Sequence, residues 1–357
     1  MGFAGISLSL TLISLLAVTP PPTTAQNSKP FICTSNHTCS ALIDYVLPNS
    51  TTLAAVKTLF GVKNFRALLG ANNLPPTTPT NQSVPANQTI KIPFPCLCRN
   101  GTGISNHRPV YKVVPEDGLD HIARDVFSAL VTFQQIQAVN GIPDPDKINV
   151  GQELWIPLPC SCDEVEGQSV VHYGHVVVAG SSVDGIAQQF NTTSDILLKL
   201  NGLTDPNQLQ AGTVIDVPLK ACTSVVSSTS LDYPLLVSNG TYVFTATNCV
   251  MCKCDSANNW TLQCEPSQVN SSSWPSCPAS QCQATESLYL GNTTTTGCNR
   301  TTCSYAGYNN QTILTDLAVE STCPVSANSS PKLSLQGWNW RTLIISIQLV
   351  LLCLHLL

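Results

Sequence analysis

Apolar residues between positions 109 and 139 follow first a strand pattern and then a helical one. Residues 110–114 are rich in β-branched side chains, which favours a strand. Leu119, Ile122 and Val126 come next at helical spacing, and residues 117–120 before them offer N-cap side chains. A second helix is predicted over residues 133–139.

The end of this pattern predicts how the unit closes. Asn140-Gly141 is a typical pair at a helix C-terminus. Residues 143–146 read Pro-Asp-Pro-Asp, which indicates a turn, and residues 153–156 fit a closing strand. The order strand, helix, helix, strand therefore predicts a βααβ unit and an α+β fold.

The same unit occurs three times. The unit described above is the second copy, and a third copy follows it. The third copy repeats the pairs Val-Val, Ile-Ala and Asn-Gly at residues 177–178, 186–187 and 201–202. Its ending at residues 217–219 matches the Ile-Pro-Leu ending of the second copy. A more diverged copy lies earlier, with Leu53 and Val56 at helix positions and Asn72 in place of Asn140. It lacks a clear opening strand and has a longer loop. We name these copies the first, second and third repeat, for residues 45–94, 109–158 and 172–219.

Cysteine and charge content restrict the class of protein. The 357 residues include 17 cysteines, which indicates an oxidising compartment. Only 10% of residues are charged and the net charge is −5, which argues against nucleic acid or an anionic membrane surface as partner. An exported, disulfide-rich protein of several domains is expected.

Both ends of the chain carry processing signals. Residues 1–25 are predicted to be a secretory signal peptide, although no Lys or Arg precedes the apolar run. Residues 329–357 combine a polar spacer with a terminal apolar stretch, which predicts the removed part of a glycosylphosphatidylinositol (GPI) signal. We expect the anchor on Asn328, with Ser329 as the nearest alternative; a short membrane tail anchor is the competing interpretation.

Sequons for N-glycosylation are spread over the whole chain and predict surface positions in a secreted protein. The predicted glycosylation sites are Asn36, Asn49, Asn81, Asn87, Asn100, Asn191, Asn239, Asn259, Asn270, Asn292, Asn299 and Asn310.

Residues 222–323 hold ten cysteines and show no helical periodicity. The spacing of Cys249, Cys252, Cys254 and Cys264 could be interpreted as a zinc site. In a secreted chain with an even number of mature cysteines, disulfides are favoured. We predict a small cysteine-rich domain of β or irregular structure over residues 222–323, without a metal.

The repeats resemble LysM domains, small βααβ carbohydrate-binding units. The resemblance is carried by the Asn-Gly after the second helix and by the ending Gly151-Gln152-x-Leu154-x-Ile156-Pro157. The whole layout resembles plant LysM GPI-anchored receptor-like proteins, and residues 248–254, 259–262 and 305–308 look most like their chitin elicitor-binding branch. The resemblance implies three LysM domains, joined by the pairs Cys33–Cys98, Cys39–Cys162 and Cys96–Cys160; cysteine spacing alone does not choose among the possible pairings.

Catalysis is not supported by the sequence. The acidic pairs Glu116/Asp117 and Asp144/Asp146 and the cluster at residues 163–166 lie in loops or a linker, where carboxylates usually cap helices or face solvent. The histidines show no metal-ligand spacing, and no nucleophile motif is present. We expect no catalytic residue, cofactor or metal.

Binding of a neutral sugar polymer fits the composition better, because it needs backbone hydrogen-bonding groups and small apolar contacts. The resemblance places the sugar at two loops of each unit. The residues expected to bind ligand in the second repeat are Pro115, Glu116, Asp117, Gly118, Leu119, Ile142, Pro143, Asp144, Pro145, Lys147 and Ile148. In the third repeat they are Gly180, Ser181, Leu203, Thr204 and Asp205.

The expected function is that of a cell-surface receptor for chitin oligosaccharides in innate immunity. The resemblance implies a transmembrane LysM receptor kinase as partner, and a long ligand could join two receptors into a homodimer. Two alternatives stay open: a peptidoglycan receptor of the same layout, and a passive cell-wall glycoprotein. The expected location is the outer face of the plasma membrane, held by the GPI lipid.

The terminal signals predict that lipid alone holds the mature protein on the cell. Phosphatidylinositol-specific phospholipase C should release it from intact cells into the medium, measured by immunoblot. A known GPI-anchored protein on the same cells serves as the control for enzyme activity. Retention of this protein while the control is released would contradict the anchor.

Overall fold

The computed structural model describes residues 31–34, 36–282, 288–321 and 323. The expected signal peptide, the anchor residue Asn328 and the terminal apolar stretch lie outside these residues. Within them the chain forms a mixed α+β structure, as the sequence predicts. It divides into two units: residues up to 292 together with 303–317, and residues 293–302 together with those from 318 onward.

The first and third repeats share one five-stranded sheet with the order β5-β4-β1-β8-β9. Its strands are β1 (Thr38–Val46), β4 (Thr89–Arg99), β5 (Thr102–Ser105), β8 (Val170–Val176) and β9 (Val214–Lys220). Strand β1 pairs antiparallel with β4 and parallel with β8, which joins the two repeats. At this junction Gly174 is required, because a Cβ there would lie 2.9 Å from Ile43 Cγ1.

The expectation that the first repeat lacks a clear opening strand is wrong, since β1 occupies that place. The residues of β1 from Ala41 to Tyr45 are all buried. A central strand covered on both faces shows no alternation of apolar and polar residues, so its pattern does not reveal a strand. The remaining elements of this repeat are α1 (Leu53–Leu59), α2 (Phe65–Ala71) and the short pair β2 (Thr51–Thr52) and β3 (Ser83–Val84).

The second repeat has its own two-stranded sheet, β6 (Val110–Lys112) with β7 (Glu153–Trp155). Between them lie α3 (Leu119–His121), continued by a π-helical turn at Ile122–Val126, and α4 (Phe133–Val139). A capping box between Thr132 and Gln135 starts α4. The sequence predicts an N-cap side chain for α3 among residues 117–120. In the structure the N-cap is Gly118, so Asp117 does not cap this helix and no side chain bonds to its first turn.

In the third repeat, helices α5 (Val183–Gln189) and α6 (Ser194–Leu200) connect β8 to β9. Ser182 and Thr193 accept hydrogen bonds from the first turns of these helices. A short 3-10 turn at Pro206–Gln208 follows. The helices pack on β8 and β9 through a core that includes Val183, Ile186 and Leu197.

One asparagine in each repeat joins the second helix to the closing strand. Nδ2 of Asn140 donates to the carbonyls of Ile136 and Trp155, both at 2.8 Å, and Oδ1 accepts from the Trp155 N–H at 2.9 Å. Asn72 and Asn201 make the same three bonds at the matching places. We call these the asparagine bridges. They show that all three repeats share one internal hydrogen-bond pattern.

Three disulfides connect the repeats and the segment before them: Cys33–Cys98, Cys39–Cys162 and Cys96–Cys160. These are the same three pairs that the family resemblance implies. Their sequence separations of 64 to 123 residues close long loops, and each such bond contributes about 2–4 kcal/mol in the chain-entropy account. Gly103 lies at this cluster, where a Cβ would be 2.8 Å from Cys33 Sγ.

The cysteine-rich region consists of short strands and 3-10 turns. Its first sheet is β10 (Thr241–Thr245), β11 (Val250–Cys254) and β12 (Gln263–Pro266), with 3-10 turns at Ala246–Asn248 and Ser256–Asn258. The cysteines of the possible zinc site are all paired, as Cys249–Cys277, Cys252–Cys264 and Cys222–Cys254. These cysteines therefore form disulfides, as the sequence predicts.

The last sheet contains β13 (Thr293–Thr296), β14 (Asn299–Tyr308) and β15 (Ile313–Ser321). Within the second unit, β13 pairs antiparallel with residues 299–302 of β14, and Cys298 bonds to Cys323. Cys282–Cys303 belongs to the first unit. In the described ranges of the chain, no helix is long and apolar enough to cross a membrane.

Two buried histidine–aspartate pairs lie in the shared sheet. His175 Nδ1 is 2.7 Å from Asp44 Oδ2, and Tyr173 also donates to Asp44. His172 Nδ1 is 2.9 Å from Asp216, and its Nε2 is 2.7 Å from the carbonyl oxygen of Asp163. Since both ring nitrogens of His172 face acceptors, both must donate, so the imidazole is charged.

The charged state of His172 agrees with its electrostatics. Burial alone lowers the pKa of His172, but Asp216 and the Asp163 carbonyl outweigh it and raise the pKa above its ordinary value. Because the folded-state pKa of His172 lies above that of the unfolded chain, the ion pair between His172 and Asp216 stabilises the fold. This stabilisation is fully present below about pH 6.5 and is lost as the pH rises through the folded-state pKa.

Asp216→Asn should therefore destabilise the protein more at acidic than at alkaline pH. Removing one partner of a buried ion pair costs about 3–5 kcal/mol, so we expect a loss of that order at pH 5.5 and a smaller one at pH 9. Denaturant unfolding at both pH values measures it. Asp195→Asn, at an exposed position in α6, is the matched control and should change stability by less than about 0.5 kcal/mol. An equal loss at both pH values for Asp216→Asn would contradict a charged His172.

Candidate functional site

The first predicted loop of the second repeat, residues 115–119, is held by Asp117. Its Oδ2 accepts from the Val114 N–H at 2.7 Å and from the Tyr111 hydroxyl at 3.0 Å. Burial and this bond to Asp117 raise the pKa of Tyr111 to about 12. The carboxylate of Asp117 is only 2% exposed, so it positions the loop from within. Pro115 and Glu116 remain exposed at the tip, and Glu116 has a φ of 73°.

The second predicted loop, residues 142–148, is held by Asp144. Its Oδ1 accepts from the Asp146 N–H at 3.1 Å, and its Oδ2 lies 2.9 Å from Lys147 Nζ. The hydrogen bond from Lys147, together with the Asp146 N–H, lowers the pKa of Asp144. Gln137 Nε2 donates to the Ile142 carbonyl at 3.0 Å and fixes the start of the loop.

The two loops are anchored in the same core. Leu119 and Ile142 are buried there, and Ile148 packs against it. The side chains of Leu119 and Ile142 thus serve packing, and only their backbone atoms remain for a ligand. A Cβ added at Gly118 would meet no atom within 4 Å, so the space beside the first loop is open. Exposed backbone beside small apolar groups can bind an uncharged, hydroxyl-rich ligand.

In the third repeat the corresponding residues are again at loop positions. Gly180 has a φ of 85°, which suits glycine, and the Ser181 N–H donates to the Val178 carbonyl. Thr204 donates from N–H and hydroxyl to Gln208 Oε1, and Asp205 accepts from the Asn207 N–H at 2.7 Å. Leu203 is half-buried. Local side-chain bonds therefore order this loop as they do in the second repeat.

A cavity of about 310 Å³ lies at the matching loops of the first repeat. Its walls include Leu53, Leu74, Pro75, Thr78 and Val84. No ligand-binding residue was predicted here from the sequence. The signal was available: Leu74-Pro75 follows Asn72 just as Ile142-Pro143 follows Asn140. The long loop of the first repeat hid this match.

Asp163 and three neighbouring cysteines have structural partners. Asp163 accepts from the Thr34 N–H at 2.8 Å and so joins the segment before β1 to the linker after the second repeat. The sulfur atoms of Cys39, Cys96 and Cys162 lie within 4.8 Å of one another, but all three are in disulfides and offer no thiolate to a metal.

Comparison with known proteins defines the class. The LysM domain family matches residues 111–157 and 175–218. "LysM domain-containing GPI-anchored protein 2" of Arabidopsis thaliana is 47% identical over 93% of this chain and 94% of its own length. "Chitin elicitor-binding protein" of Oryza sativa subsp. japonica is 44% identical over 93% of this chain and 92% of its own length. "Chitin elicitor receptor kinase 1" of Physcomitrium patens is 28% identical over 53% of this chain and 29% of its own length.

The protein thus contains LysM domains. More specifically, the chain belongs to the family of plant LysM domain-containing GPI-anchored proteins, because the similarity covers nearly the full length of both chains. The resemblance found in the sequence is confirmed.

Proposed function

We propose that this protein is a cell-surface receptor that binds chitin oligosaccharides and takes part in innate immunity. The observation that carries the proposal is the high identity, over nearly the whole chain, to the rice protein named for chitin elicitor binding. The site agrees with it, since loops rich in exposed backbone and small apolar groups suit polymers of N-acetylglucosamine. We assign the protein a binding role without catalysis.

The first repeat acts in this proposal as a third, diverged LysM domain. The family comparison covers the second and third repeats. Support for the first comes from its asparagine bridge, which repeats the bonds of the other two. The proposed domains are residues 45–94, extended at the start by strand β1 (Thr38–Val46), 109–158 and 172–219. The cysteine-rich domain at 222–323 follows, and residues 1–25 and 329–357 are removed.

Filling the space beside the predicted loops should block the ligand. Gly118→Trp places a large ring in the open space beside a half-buried glycine of the second repeat, and Ser181→Trp places one at an exposed position of the third. If one repeat binds the ligand, the single variant in that repeat should bind chitin octamer at least about tenfold more weakly, and so should the double variant. This is a loss of about 1.4 kcal/mol in binding free energy. Isothermal titration calorimetry with the octamer measures this effect.

Gln134→Trp is the matched control, because Gln134 is exposed in α4 of the second repeat and outside both loops. It should bind the octamer as the unmodified protein does. Wild-type affinity in the double variant would refute the proposed site. Absence of octamer binding by the unmodified protein would refute the proposed function itself.

A lipid anchor reaches only the outer leaflet, so a signal must cross the membrane through another protein. We propose a transmembrane LysM receptor kinase as this partner, with the GPI lipid as the only membrane attachment and a homodimer on long ligands. The sequence similarity to a receptor kinase named for chitin elicitors supports this choice.

Cells without the partner kinase should still bind labelled chitin octamer through this protein but should not respond to it. The expected result is unchanged surface binding and loss of the oxidative burst, and re-expression of the kinase should restore the burst. A full response in cells without any LysM receptor kinase would refute the partnership.

A further inference from the structure

All twelve predicted glycosylation asparagines are solvent exposed. One of them differs in its surroundings: Asn191, with Thr192 and Thr193 of its sequon, lines a cavity of about 810 Å³. This volume lies in the range of about 300–1,000 Å³ that is usual for small-molecule sites. The cavity therefore adjoins the residue to which a glycan would be attached.

The cavity lies between the third repeat and the start of the cysteine-rich region, both in the first unit. Ile196 of α6 and Pro218 of β9 form one side, and residues 233–236 form the other. Leu236 packs against the core of the third repeat, so the two sides are held in contact. Nothing in this arrangement belongs to the ligand loops at 115–119 or 180–183.

The lining combines apolar and hydrogen-bonding groups. Tyr233 is 55% exposed, so its ring is open to contact from a ligand. Its hydroxyl makes no hydrogen bond within the described part of the chain. Gln168, Ser169 and Thr223 add polar groups beside it. An aromatic face with polar neighbours suits the apolar face and the acetamide group of N-acetylglucosamine.

Asn191 is exposed in the short connection between α5 and α6. Its φ of 54° is left-handed, a conformation that asparagine tolerates. Its side-chain amide has no hydrogen-bond partner among the residues that the structure describes. The neighbouring Thr193 keeps its place because its hydroxyl oxygen accepts from the Ile196 N–H at 3.3 Å. The buried Asn201, by contrast, uses its amide in an asparagine bridge.

We propose that Asn191 carries an N-linked glycan whose first N-acetylglucosamine residues occupy this cavity and pack against Tyr233. The bond forms between C1 of the sugar and Asn191 Nδ2, which loses one proton, while the diphosphate of a lipid-linked oligosaccharide donor leaves. The glycan covers exposed apolar side chains and joins the third repeat to the cysteine-rich region. It is an internal, covalently attached ligand, independent of the chitin site.

Hydrogen exchange of the full chain, produced in a eukaryotic secretory host, tests this proposal. Peptide mass spectrometry should find a glycan on Asn191. Asn191→Asp removes the sequon and keeps a residue that tolerates the left-handed conformation. Exchange in peptides covering residues 165–170 and 233–236 should then rise at least about threefold.

Asn100→Asp is the matched control, because Asn100 is also an exposed sequon residue with a φ of 53° but lines no part of this cavity. It should leave the exchange unchanged.

Enzymatic removal provides a second test that does not depend on folding of the variant. Peptide N-glycosidase acting on the folded protein should release the glycan at Asn100 faster than the one at Asn191, and exchange at 233–236 should rise only after the slower release. An unmodified Asn191, or unchanged exchange after its glycan is lost, would overturn the proposal. A third outcome would also overturn it: Asn191→Asp loses chitin octamer binding while hydrogen exchange at residues 233–236 is unchanged. The cavity would then be a site for free ligand.

Discussion

The asparagine bridge is the interaction on which each repeat depends. A single side chain satisfies two carbonyls and one N–H, and it connects the last turn of the second helix to the closing strand. The loop between these elements is thereby fixed at both ends. That loop is one of the two predicted to bind ligand, so the geometry of the site follows from a hydrogen-bond pattern that lies beneath it. Buried backbone groups left unpaired would each cost about 1–3 kcal/mol, which explains why an amide is needed here.

Disulfides and a shared core join the second repeat to the first. The first and third repeats share a five-stranded sheet, whereas the second has only β6 and β7. A two-stranded sheet alone is marginally stable in water, and this one belongs to a repeat that packs in one core with the first repeat. The bonds Cys96–Cys160 and Cys39–Cys162 fasten the end of this repeat to β1 and β4. Binding loops on a small unit are thus supported by a larger neighbouring sheet.

Local patterns in the sequence predicted the elements that depend on local interactions. Helix α4 was predicted with its bounds, because its C-cap pair and apolar spacing lie within the segment itself. Strand β1 was missed because its burial comes from residues distant in sequence: Ala41, Ile43 and Tyr45 pack in one core and Leu42 packs in another. The pair His175–Asp44 could not be foreseen for the same reason, since parallel pairing of β1 with β8 brings these residues together. Of the candidate site, the sequence located the loops, but only the structure shows that Leu119 and Ile142 point into the core.

The central claim is that the two predicted loops of a repeat, one of them fixed by an asparagine bridge, bind the sugar polymer. A crystal structure with bound chitin hexamer tests this claim most directly. We predict that sugar rings lie against residues 115–118 and 143–148 of the second repeat, or 180–181 and 203–205 of the third, with hydrogen bonds to their backbone groups. A hexamer bound anywhere else on the folded protein, with both loop pairs free, would contradict it.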